Sequence, residues 1–299
     1  MKAIVLSILF MVCQQTMMAQ TDTPPGFLWQ VNINGSQFSL AGSIHAGKKD
    51  HYPLPKAYLN AYKQADYVIL ELKDDFKKLE KMVFSYAAKD SLKEDQYLDN
   101  YLSQESKDLL AFLFKGKEEV LLRYYKHEGW LLNMTILGKK SKLIGYDPEF
   151  AIDKYFHELA TNDQKTILGL EQIETQLRLF EFHVPLETQV QIINSSLNAT
   201  EQQARAEQPL FDTYFSQDTE AFRETFLSIM NLENPQIKKM YELTLVNRNK
   251  TWVKKLIELS KTSTGNYFML VGCGHYFGPD NVLELLEEEG YMVKPYSEN

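Results

Sequence analysis

Cysteine is nearly missing from this 299-residue sequence, which has two, Cys13 and Cys273. If the N-terminus is removed, no internal disulfide can form, and the core alone must hold the fold. Also lacking is any run of about eighteen apolar residues, the length a membrane-spanning helix needs, so no integral membrane segment is expected in the mature chain. Positive charge is in deficit: 32 Lys and Arg face 40 Asp and Glu, for a formal net charge of −8. A net negative chain repels nucleic acid and anionic lipid headgroups, so neither is an expected partner. No low-complexity tract and no Gly- or Ser-rich linker marks a domain boundary. What is abundant is bulk. The 17 Tyr, 17 Phe and 3 Trp within a 44% hydrophobic composition supply enough apolar surface to exclude disorder. One domain over residues 21–299, with a sizeable core, is the expectation.

The first twenty residues read differently from the rest. Lys2 precedes the apolar run Ala3 to Val12, and a polar stretch leads through Ala19 to Pro24-Pro25. Charge, short apolar core, small residue and Pro-rich exit describe a secretory signal over residues 1–20. The mature protein is therefore expected to be exported, to a periplasm or beyond the cell. Cys13 invites a lipoprotein reading, but Phe10-Met11-Val12 lacks the small residues a lipid-attachment site wants before its Cys, so that reading is the weaker one.

Along the rest of the chain, Asn34-Gly35 between Phe27–Ile33 and Gln37–Ala41 predicts a β-hairpin. Pro55 opens a helix reaching Ala65, and Tyr67 to Leu72 reads as a strand buried on both faces. Residues 75–140 hold no Pro and predict helices, whereas Lys142 to Tyr146 predicts a short strand. From 150 to 261 the pattern is helical again, broken at Thr166–Glu171 and at Val184-Pro185. Tyr267–Val271 is the next strand. Asp280 is expected to cap a helix over Asn281–Glu289, stopped by Gly290 and followed by a strand to Pro295. Alternating β and α elements imply an α/β layer fold: a central mixed sheet with a helical insertion over about residues 75–245.

A repeated unit stands out. Gly42-Ser43-Ile44-His45 and Gly272-Cys273-Gly274-His275 each place G-x-x-H where a strand ends, with a helix and a strand to follow. Glycine there permits close backbone approaches, and the end of a strand in an open α/β sheet is where ligand clefts form. Two pseudo-symmetric halves could then point both imidazoles into one cleft. The plainer reading is two histidines that merely cap helices or loops.

Phe38-Ser39-Leu40-Ala41-Gly42-Ser43-Ile44-His45 followed by Tyr52-Pro53-Leu54-Pro55 resembles the opening motif of the TraB/GumN family. That family includes plasmid pheromone-shutdown proteins and the TIKI metalloproteases. Asp66 to Glu71, Gly145-Tyr146-Asp147, Gly169 through Gln176, Arg248-Asn249 with Trp252, and Val271 through Pro279 resemble its later blocks. The resemblance spans essentially the whole mature chain and implies a fold akin to the erythromycin-esterase and haem-binding ChaN-like proteins. Cys273 departs from the pattern, since relatives more often carry a small aliphatic residue there.

The implied activity is that of a metal-dependent peptidase acting on a peptide or protein substrate. The residues agree in kind. A catalytic metal wants about three protein ligands and an open position, which His45, His275 and Glu71 can supply to Zn, Mn, Co or Fe. Glu171 is the candidate second carboxylate and general base. Arg248 and Asn249 could stabilise an oxyanion or clamp a substrate carboxylate. Asp147 could orient one imidazole. Each has a plain alternative: a strand-end salt bridge for Glu71, a helix-surface position for Arg248, a helix start for Asp147-Pro148. A non-catalytic protein that sequesters a peptide or haem in the same cleft is the competing function. Other chemistries lack their motifs. His157-Glu158-Leu159-Ala160-Thr161 has Thr where H-E-x-x-H needs its second His, and no G-x-S-x-G is present. His51, His127, His157 and His183 lack partner spacing and read as surface or core histidines.

Overall fold

The computed structural model describes residues 26–180, 185–198 and 208–297; the expected leader with Cys13, the Val184 break and His183 lie outside them. Six strands are formed: β1 Leu28–Ile33, β2 Ser36–Ser43, β3 Tyr67–Leu70, β4 Thr166–Gly169, β5 Asn266–Gly272 and β6 Val293–Pro295. They make one mixed sheet in the order β4-β3-β5-β2-β1-β6. β1 and β2 are the expected hairpin, with Ile33 opposite Ser36. Asn34 (φ 50°) and Gly35 (φ 87°) take the left-handed angles that a two-residue turn needs to match strand twist. β2, β5, β3 and β4 are parallel neighbours: Ser43 pairs with Gly272, and Leu70 with both Leu270 and Gly169. Four chain segments therefore leave the sheet at one edge.

Parallel strands covered on both faces must be apolar throughout, and Tyr267–Val271 in β5 are buried without exception. Phe268, Met269, Phe38, Phe156 and Trp252 belong to the apolar cluster around the sheet. Tyr267 stacks between Phe38 and Tyr67, with ring centroids 4.5 and 5.0 Å away. A second cluster, including Trp130, Leu132, Ile136 and Ile193, lies among helices on either side of β4 in sequence. The expected insertion over about 75–245 is thus interrupted, because β4 joins the sheet.

Two local expectations are corrected. Lys142–Tyr146 is not a strand: a helix runs Gly129–Leu143, and Gly145 (φ 86°) ends it in a left-handed turn. Its apolar run, Leu143-Ile144, is too short to specify a buried strand, and Leu143 is exposed. The last helix is capped by Asn281, whose side chain accepts from the N–H groups of Leu283 and Glu284, rather than by Asp280. The two strand–GxxH–helix–strand units are both present, but they are not equivalent in the sheet. The β2-to-β3 crossover passes one intervening strand and the β5-to-β6 crossover passes two.

Phe268 sits in the central strand with no exposed surface. Phe268→Ala is expected to lower stability by about 3–5 kcal/mol, read as a shifted urea midpoint with an unchanged denaturant slope.

Candidate functional site

The four parallel strands each deliver a titratable residue at the shared edge. Glu171 follows β4, Glu71 directly follows β3, His275 lies in the one-turn helix Cys273–Tyr276 after β5, and His45 follows β2. Their order along the edge is the order of the strands. Gly272, the last residue of β5, is where three of them meet. A Cβ built there would lie 3.3 Å from Glu71 Oε1, 3.6 Å from His45 Nε2 and 3.8 Å from His275 Cδ2. The absence of that Cβ keeps open the space between two imidazoles and a carboxylate.

Arg248 binds the carboxylates into one unit. Its Nη2 donates to Glu71 Oε2 at 2.6 Å and also to Glu171 Oε1, while Nε donates to Glu171 Oε1 and Oε2 at 3.1 and 3.2 Å. Gln176 Nε2 donates to both carboxylates, at 2.9 Å to Glu71 and 2.7 Å to Glu171. The N–H of Gly272 donates to Glu71 Oε1 at 2.9 Å. Burial works against a charge on Glu71. The surrounding His275, Arg248 and His45 side chains, with the Gly272 N–H, outweigh it and hold the carboxyl well below the usual carboxylate range.

His275 is buried, and its tautomer is set by its neighbours. Arg248 Nη1 can only donate and sits 3.1 Å from His275 Nε2, so Nε2 accepts. Nδ1 then carries the hydrogen and donates to Asn249 Oδ1 at 2.6 Å, while Asn249 Nδ2 donates to the Asp280 carbonyl at 3.0 Å. Burial, helped by Arg248, pushes His275 down to about 3, so the ring is neutral at ordinary pH. Trp252 packs on the ring at 4.2 Å between centroids, and the Arg248 guanidinium lies 4.7 Å from the Trp252 ring centroid. Arg248, Asn249 and Trp252 share the helix Asn247–Thr262, which is entered through a π-helical turn at Glu242–Val246. Such turns shift the phase of a helix and recur at functional sites.

His45 is held from another direction. Its Nδ1 lies 3.3 Å from Asp153 Oδ2. Asp153, with help from Glu71, draws the imidazole up to about 9, although solvent screens part of this because the side chain is 68% exposed.

Sequence reasoning brought His45, Glu71, His275, Glu171 and Arg248 into view, and the fold brings all five together. Asn249 is 1% exposed and spends its amide on His275 and a carbonyl, so it reaches no ligand directly. Asp147 touches neither site histidine. It caps the turn Pro148–Phe150 and pairs with Lys142 at 2.9 Å. Asp153 orients His45 instead, and its place in the first turn of an ordinary-looking helix carries no signal of that role. Gln176 was visible only as the end of a family-like block. His157 also lines the cleft, with Nε2 3.2 Å from the Lys73 carbonyl. His51 stacks on Phe215, and His127 lies 3.4 Å from Ser91.

Over this edge lies a cleft of about 310 Å³, lined by polar residues that include Ser43, His45, Glu71, Asp153 and Gln176 and by apolar ones that include Leu72, Phe76 and Leu79. A wider open groove of about 1000 Å³ near Trp29, Arg223 and Glu284 contains none of the site residues, so chemistry rather than size selects the smaller one. The residue types suit a cation: two imidazoles and a carboxylate converge around Gly272, with His275 Nε2 engaged by Arg248 and Glu71 Oε1 by the Gly272 N–H. As folded, the charge there is supplied by Arg248. Among the described residues no three His, Cys, Asp or Glu side chains stand ready to enclose a metal ion.

Two outcomes follow from these environments. Between about pH 6.5 and 3 the unfolded chain binds a proton at position 275 that the folded chain excludes. The contribution of His275 to stability is therefore full above that window and declines as pH falls through it. Glu71 adds a loss of the same sign at the acid end. Urea midpoints measured from pH 7 to 4 should fall, and fall less steeply in His275→Gln. Cys273 is buried, and burial pushes its thiol pKa far up. A thiol reagent should leave it unmodified at neutral pH until denaturant unfolds the protein.

No solved structure matches this chain significantly. It is 24% identical over 254 residues to YbaP of Escherichia coli (strain K12), a protein described as uncharacterised, covering 83% of this chain and 87% of that one. YbaP of Shigella flexneri is 24% identical over 262 residues, covering 86% of this chain and 90% of that one. The model of the TraB/PrgY/gumN family matches residues 27–295, the whole sheet included, and the chain belongs to that family.

Proposed function

We propose that this protein is an exported, metal-dependent hydrolase of peptides whose active site is the cleft at the strand ends. The observation that carries the reading is the convergence of His45, Glu71 and His275 around Gly272. Those three side chains would hold one divalent cation, and two imidazoles with a carboxylate do not choose among Zn, Mn, Co and Fe. When bound, such an ion polarises the scissile carbonyl and lowers the pKa of water towards about 7. The remaining work falls to the chain. Asn249 fixes the His275 ring so that Nε2 is the unprotonated nitrogen, which a bound ion would take over from Arg248, and Asp153 aims His45 from its Nδ1 side. Glu171, which shares Gln176 and Arg248 with Glu71, is the second carboxylate and takes the proton of the attacking water. Arg248 pairs with both carboxylates, favours the ionised form of Glu71 and supplies positive charge where an oxyanion would develop. The leader-like residues 1–20 support export.

Elemental analysis of the purified protein tests the reading. A divalent ion near one equivalent, lost in His45→Ala and His275→Ala, together with chelator-sensitive cleavage of unstructured peptides, is expected. Asn249→Leu should weaken metal binding by about 10–100-fold while sparing the fold. Metal content and cleavage that ignore both His substitutions would overturn the assignment. Peptide binding without cleavage would favour a sequestering protein.

A further inference from the structure

The wall of the cleft beside His45 carries two polar atoms that the hydrolytic reading does not use. Asp153 gives Oδ2 to His45, but its Oδ1 is buried and has no hydrogen-bond partner among the described residues. Ser43, the last residue of β2, is 1% exposed, and its Oγ is likewise without a partner. Both residues line the cleft. Buried polar atoms almost always find partners, so two orphans on residues that line one cavity point to a place for the donors of a ligand.

The other carboxylates in the cleft are already occupied. Glu71 is taken by Arg248, Gln176 and Gly272, and Asp74 pairs with Lys78 at 2.6 Å. Asp153 therefore holds the spare anionic acceptor, and Ser43 a hydroxyl that can also accept. The same cleft is lined by Leu72, Phe76 and Leu79. A carboxylate or carbonyl ligand would bring no donor and would face the charge of Asp153. An ammonium brings three donors and no acceptor.

We infer that this part of the cleft takes a primary ammonium group carried next to an apolar side chain, with Asp153 Oδ1 and Ser43 Oγ as its acceptors. The inference rests on the hydrolase reading and deepens it. The substrate class is a peptide with a free α-amino group and an apolar first residue, held so that cleavage falls near the N-terminus. A lysine ε-amino group offers the same head on a longer stem, without the apolar branch that the Leu72–Phe76–Leu79 wall would cover.

Binding of small probes to the full chain tests this without reference to turnover. L-Leucinamide, N-acetyl-L-leucinamide and Nα-acetyl-L-lysinamide would be titrated by calorimetry, in the presence of whichever divalent ion the protein retains. Leucinamide is expected to bind about tenfold or more tightly than its acetylated form, the worth of a hydrogen bond to a charged group. Lysinamide binding as tightly as leucinamide would keep the ammonium and move its source to a lysine side chain. Asp153→Asn should abolish the preference for the free amine. Ser43→Ala, which leaves the His45–Asp153 pair in place, should reduce it. Equal affinity for free and acetylated leucinamide, or a preference unchanged in both variants, overturns the inference. Metal-dependent cleavage indifferent to N-acetylation would sink this inference and leave the hydrolase standing. A persistent amine preference in a chain with neither metal nor cleavage would do the reverse.

Discussion

Two carboxylates buried at the ends of adjacent parallel strands repel one another unless a cation lies between them, and Arg248 is that cation. Glu71 and Glu171 are 17% and 6% exposed, and the guanidinium between them is 13% exposed. Removing one partner of such a group leaves an uncompensated buried charge, a loss of about 3–5 kcal/mol. The same guanidinium donates to His275, so the charge balance of the carboxylates and the protonation of the imidazole are one problem with one solution. A neutral His275 with its lone pair turned inward follows from Arg248 as directly as the ionised state of Glu71 does.

That arrangement is possible because the sheet and one helix meet at the right height. β3 and β4 are in parallel register, with the N–H of Glu171 donating to the carbonyl of Glu71 at 3.1 Å, so the pairing continues one step past the strands. The helix Asn247–Thr262 crosses the edge with Trp252 fully buried against His275. Arg248 and Asn249 then address opposite nitrogens of a single ring. The π-helical turn just before them has a physical consequence here, because its extra residue resets which side chains face the sheet.

How legible this was depends on the range over which each signal acts. The hairpin was readable because Asn34-Gly35 demands a specific turn, and β5 because five apolar residues in a row leave no polar face. The strand ends were readable because G-x-x-H recurs. Asp153 was not, since an aspartate in the first turn of a helix looks like ordinary dipole compensation. Its meaning comes from His45, a residue remote in sequence that the helix Ile152–Asn162 meets through the Ile152 N–H to Ile44 carbonyl bond. Asp147 drew attention through its Pro148 neighbour, yet that same pairing is a local capping signal, and capping is what it does. Lys142–Tyr146 misled because two apolar residues beside a glycine fit the end of a helix as well as a strand.

The cleft draws its two walls from the two apolar clusters. Ser43, His45 and Asp153 belong to elements packed around the sheet, whereas Leu72 and Leu79 pack against the helical cluster built on Trp130 and Ile193, beside Phe76 at the start of the helix Phe76–Ala87. Gln176, from the helix Ile173–Phe180, is the polar stitch between them, since it reaches both carboxylates while Ile173 and Leu177 on either side of it anchor the second cluster. The charged centre is therefore fixed by strand ends that a family motif can mark. The shape of the space above it is set by helix packing, where substitutions that conserve volume are tolerated and leave no motif. The charged centre and the space above it thus answer to different constraints within one site, which is why the residues of the first could be picked out by type and motif while the lining of the second needed coordinates.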